Sequence, residues 1–121
     1  MSGGSPGRAR FEADLRRTVD RVGTLGLPRL AAAFEPEPTR ADAVRRLVQH
    51  LADLAADLAG EPRRTVPRLA DQAVGDQLAV CGHDLLAAAT LAGSVTDAGD
   101  AAADAALIAA ADQLLDLRRR L

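Results

Sequence analysis

The 121-residue chain contains no Trp, no Tyr and no Lys; it has two Phe, one Cys and two His, and all fifteen basic residues are Arg. So few aromatics remove the stacking platform on which single strands of nucleic acid are held. One cysteine, Cys81, excludes an intramolecular disulfide and suits a reducing, cytoplasmic setting. His50 and His83 belong to no Glu-x-x-His or His-x-x-x-His pattern, so neither a metal nor a cofactor is expected. The longest uncharged apolar run, Leu85 to Val95, falls short of the ~18 residues of a membrane span, and no membrane partner is expected. Val, Ile and Thr are sparse, which starves β-strands. A net charge of -2 gives no overall pull toward nucleic acid or anionic lipid. The absence of Lys reflects an Ala-, Arg- and Asp-rich composition rather than a need for guanidinium chemistry.

What is abundant is alanine and leucine, the leading helix formers. Residues 1–7 are Gly, Ser, Pro and Arg-flanked, with nothing to bury, and read as a disordered tail before a single domain over 8–121. Phe11, Leu15, Val19 and Val22 recur at helical spacing in a first helix from Arg8 to Gly23. Pro28 opens a short helix ending at Phe34, and Glu35-Pro36-Glu37-Pro38 breaks the chain. Thr39 with Asp42 then resembles a capping box. Val44, Leu47, Leu51, Leu54 and Leu58 follow as a heptad seam that stops at Gly60. Pro67 starts the next helix, which runs to about Ala92 and is followed by a last one from Thr96 or Asp100 to the end. These segments predict an all-α fold: an antiparallel up-and-down four-helix bundle with a short extra helix between helices 1 and 2.

The 67–92 helix carries more apolar surface than one face can bury. Val-Gly-Asp-Gln-Leu-Ala-Val at 74–80 is echoed by Cys-Gly-His-Asp-Leu-Leu-Ala at 81–87, which draws parallel stripes along the helix. One line (Val74, Leu78, Cys81, Leu85) suits the core, and the small line Gly75, Ala79, Gly82 suits close contact with a neighbouring helix. A third, Leu69, Ala73, Val80, Ala87 and Leu91, is surplus and predicts an interface. Gln77 and Asp84, seven apart beside it, would set the register of pairing. The expected function is therefore a non-enzymatic interaction module that forms a homodimer or docks on a protein partner.

No catalytic constellation is visible. Cys81 and His83 are two apart and point about 160° away from each other on a helix, so the imidazole cannot activate the thiol. Two other binding roles remain open. Strictly alternating helices would gather Arg8, Arg10, Arg63, Arg64, Arg68, Arg118, Arg119 and Arg120 at one end, with Glu35, Glu37, Asp42, Asp97 and Asp100 at the other. Such a basic end would seat an acidic protein ahead of nucleic acid. The Gly75–Gly82 line could alternatively leave room for a small apolar ligand, as in a sensory bundle.

Overall fold

The structure, a computed structural model, describes residues 5–121; the first four residues of the expected tail lie outside the described residues. Ser5 accepts a hydrogen bond from Arg8 N, and Pro6 stands in the first turn, so α1 (Pro6–Thr24) begins two residues before the sequence suggests. Gly7 is buried there, its N–H 3.0 Å from Asp104 Oδ1. The short α2 (Leu27–Ala31) stops early, because the chain turns into a two-stranded antiparallel hairpin, β1 (Ala33–Phe34) and β2 (Glu37–Thr39). No strand is apparent from the residues. Pro38 holds Glu37 extended in β2, and Glu35 and Pro36 form the turn that returns the chain along β1.

Thr39 caps α3 (Arg40–Ala59) by accepting from Asp42 N, and Gly60 ends it at φ 68°, a left-handed value that glycine adopts freely. Beyond Gly60 the chain departs from expectation. Residues 61–70 form no helix; they run back along α3 as an extended strap, and α4 (Val74–Val95) begins only after a 3₁₀ turn, Asp71–Ala73. Pro67 therefore sits in the strap rather than opening a helix. Side chains hold the strap in place of a β partner. Gln49 donates to Arg64 O and accepts from Val66 N, Arg45 reaches Leu69 O, and Gln77 reaches Pro67 O. Arg68 and Arg45 both bond Asp42 Oδ1, and Arg45 also bonds Asp71 at 2.7 Å.

Burial pushes the Asp42 carboxyl up, but hydrogen bonds from Arg68, Arg45 and Thr39 more than offset it and leave the group below its ordinary value. The folded state thus gains from ionised Asp42 above a pH of about 4, and the gain disappears as the pH falls through the lowered value. We expect the Val66 amide to lose hydrogen-exchange protection in that window, before the helices do. Asp42→Asn should lose that protection already at neutral pH.

The strap decides the topology. Returning the chain to the start of α3 makes α3 and α4 parallel: Arg45 meets Asp71 near their beginnings, and Ala56 and Ala59 share a cavity with Asp84 and Ala88 farther on. α5 (Asp97–Arg120) reverses after Thr96, whose hydroxyl accepts from Gly99 N. α1 runs against α4, since Arg8 bonds Thr90 while Val22 approaches Gly75. It consequently lies parallel to α5, with Gly7 beside Asp104 and Arg21 bonded to Leu121 O. The fold is mainly α-helical, as expected, but its long helices do not alternate strictly up and down. Phe11, Leu51, Leu78, Leu85, Leu107 and Leu114, all fully buried, join the four long helices in one core.

Candidate functional site

The inner side of α4 is committed to the fold. Val74, Leu78 and Leu85 are fully buried, and Gly82 packs so closely on α1 that a Cβ there would lie 2.5 Å from Leu15 Cδ2. Leu15 fills the space beside Gly82, while a cavity of about 370 Å³ between α1 and α4 remains beside Ala79, walled by Leu15, Val19 and Leu86. The side opposite faces outward. Val80, Leu91 and Val95 are 59%, 68% and 78% exposed, with Ala87 exposed between them. At ~100° per residue these four lie within one strip of the helix, and Ala73 continues it onto the 3₁₀ turn half-buried.

Two of the expected interface residues are placed differently. Leu69 is exposed, but it lies on the strap, not on the helix. Gln77 is turned to the strap by its bond to Pro67 O, so it is not free to set a register with another chain. Asp84 is exposed and forms no ion pair among the described residues. It lies beside the half-buried Cys81, whose thiol is pushed up first by burial and then by the Asp84 charge. A thiol so placed is a poor nucleophile. His83 Nδ1 lies 2.8 Å from Ala79 O, within its own helix turn.

Taken with its 3₁₀ turn, this element (Asp71–Val95, 25 residues) is long and apolar enough to cross a membrane by length and composition, with 33% of its apolar stretch buried inside the protein. The expectation from uncharged runs alone missed this, because His83 and Asp84 interrupt the run without much lowering its mean hydropathy. The surplus is the outward strip.

The expected basic end does not form. Because α1 and α5 are parallel, Arg8, Arg10, Arg63 and Arg64 lie toward one end, and Arg68, Arg118, Arg119 and Arg120 toward the other. Acidic residues accompany both groups, Asp97 and Asp100 the first, Glu35, Glu37 and Asp42 the second. All but Arg64 and Arg119 also form ion pairs among the described residues. Arg63 grips Asp57 with Nε and Nη2, and Arg10 reaches Asp112 at 2.5 Å. Arg118 is partly withdrawn from the surface. Its guanidinium bonds Asp14 Oδ1 at 2.9 Å and Thr18 Oγ1 at 3.0 Å, and both partners are buried, although Asp14 looks like part of a solvated mixed-charge face in the sequence.

One site has no counterpart in the sequence reading. Between the hairpin, α3 and α5 lies a cavity of about 480 Å³, with Ala43, Leu47 and Leu117 beneath and charged or polar groups around it. Arg46 bonds Glu37 Oε1 at 3.0 Å, and Arg120 approaches Asp116 at 3.4 Å while its guanidinium stacks on Phe34, 5.2 Å from the ring centre. Glu37 Oε2 is buried without a hydrogen-bond partner among the described residues. The signal was partial: Arg46 and His50 share a face of α3, as Gln113, Asp116 and Arg120 share one of α5. Nothing joined them until the unforeseen hairpin brought Glu37 between.

Among the described residues no group of three His, Cys, Asp or Glu converges as for a metal ion. No protein-family model, curated protein or solved structure matches this chain.

Proposed function

We propose that the protein is a non-enzymatic interaction module of the cytoplasm, a four-helix bundle with one crossover strap, and that it self-associates through the outward face of α4. The observation that carries this reading is the exposure of Val80, Leu91 and Val95 on one strip of a helix whose other side is core. Contiguous apolar surface of this kind marks association sites. The strip is compatible with a two-fold axis. In an antiparallel pairing of two copies of α4, Val80 of each stands opposite Leu91 of the other, and Ala87 opposite Asp84. Alanine at the centre lets the helices approach, and no Asp84 pair is brought face to face. Asp84 alone then sets the register.

The test is absolute mass by size-exclusion chromatography with light scattering from ~10 μM to ~1 mM, a range that brackets weak association. Refractive index serves as the concentration signal, since the chain lacks Trp and Tyr. The wild type is expected to reach dimer mass. Val80→Glu with Leu91→Glu should remain monomeric with unchanged helicity. A monomeric wild type throughout, or a dimeric double variant, overturns the reading.

A further inference from the structure

We infer that the cavity between the hairpin, α3 and α5 is a binding site for a small zwitterion with an aliphatic side chain, a free amino acid or dipeptide. The charges around it carry the argument. Arg46 and Glu37 stand on one side, Arg120 and Asp116 on the other, so the lining holds two cations and two anions. A ligand of one sign would meet as much repulsion as attraction, and an apolar one would strip four charged groups of water and return nothing. A molecule with an ammonium and a carboxylate matches both signs.

The lining is also under-used. Each guanidinium has five N–H donors, yet Arg46 and Arg120 each engage one acidic partner, through a single contact. They can hold a carboxylate without giving up those partners. Glu37 lines the cavity with its Oε1 on Arg46, so its carboxylate supplies the negative field an ammonium would meet there. His50 and Gln113 add groups able to donate or accept. Leu47 and Leu117, buried at the base, supply the apolar floor for an aliphatic side chain. The volume, about 480 Å³, falls in the range of small-molecule sites.

L-leucine and glycyl-L-leucine are the probes, titrated to ~10 mM while the backbone amides of the full chain are followed by NMR. Saturable shifts are expected at Ala43, His50 and Gln113. N-acetyl-leucine, which lacks the ammonium, and 3-methylbutylamine, which lacks the carboxylate, should each bind at least about tenfold more weakly. Arg46→Gln should weaken the zwitterions by a similar factor. Its side chain is 77% exposed, so the variant keeps its fold even if Glu37→Gln, which touches the hairpin, does not. No shift at these amides with either probe overturns the proposal. Equal binding of N-acetyl-leucine or the amine, or an unchanged affinity in Arg46→Gln, does so too. Because the readout is residue-specific, it stands apart from whether the protein dimerises.

Discussion

Leu85→Ala is expected to destabilise the protein by about 3 kcal/mol, whereas Leu91→Ala, six residues farther along α4, should cost less than about 0.5 kcal/mol in dilute solution. Leu85 is fully buried, and its truncation removes transfer free energy and leaves a hole in the core shared by the four long helices that repacking closes only in part. Leu91 is 68% exposed, so alanine removes little that folding had withdrawn from water. Urea unfolding followed by circular dichroism separates the two, provided the slope with denaturant is unchanged. The same pair divides fold from function. Raising the protein concentration should shift the wild-type midpoint upward through mass action, and Leu91→Ala should lose that shift while Leu85→Ala keeps it. Equal destabilisation by both would place Leu91 in the core and remove the basis of the interface.

How far the sequence leads can be seen at the helix ends. Thr39 and Gly60 are in their expected capping places, and Thr96, one of two starts left open for the last helix, caps it, because caps are local: the residue and its neighbours three or four positions away contain the whole interaction. The heptad seam of α3 is equally local: Val44, Leu47 and Leu51 are buried as the spacing requires, and Leu54 and Leu58, toward the helix end, are partly buried. The strap is the opposite case. Pro67 is a good first residue for a helix, but the long-range bonds of Gln49, Arg45 and Gln77 to Arg64, Val66, Leu69 and Pro67, with that of Arg68 to Asp42, hold that stretch extended. No periodicity marks these partners.

The error then spread, since a strap in place of a turn reverses α4 and α5 relative to the alternating order and divides the eight arginines between two ends. The outward strip of α4 survived because it depends on helix period alone. The cavity did not, because its groups come from three elements joined by a hairpin that no alternation announces. The exposed strip was thus legible wherever it lay on the helix, whereas Leu69 is carried on the strap and Gln77 is bonded to it.

The largest electrostatic effect should come from Arg118, one of the eight arginines expected together at a basic end. Arg118→Ala is expected to cost about 3 kcal/mol. Its loss leaves the Asp14 carboxylate, with a side chain only 9% exposed, facing Arg10 Nε at 3.7 Å as its remaining cation. It also removes a donor from the fully buried Thr18 hydroxyl, which itself donates to Asp14 O at 2.7 Å. Asp14→Ala should be comparably damaging, for then the half-withdrawn guanidinium keeps Thr18 but loses its counter-charge. The double variant should be more stable than the sum of the two losses implies, by about 1–2 kcal/mol, because neither charge is left without the other. Strict additivity in chemical denaturation would show that the pair contributes nothing beyond its separate packing. This bridge joins α1 to α5, the parallel pair that exists only because of the strap, so a strong coupling would also be a test in solution of that chain order.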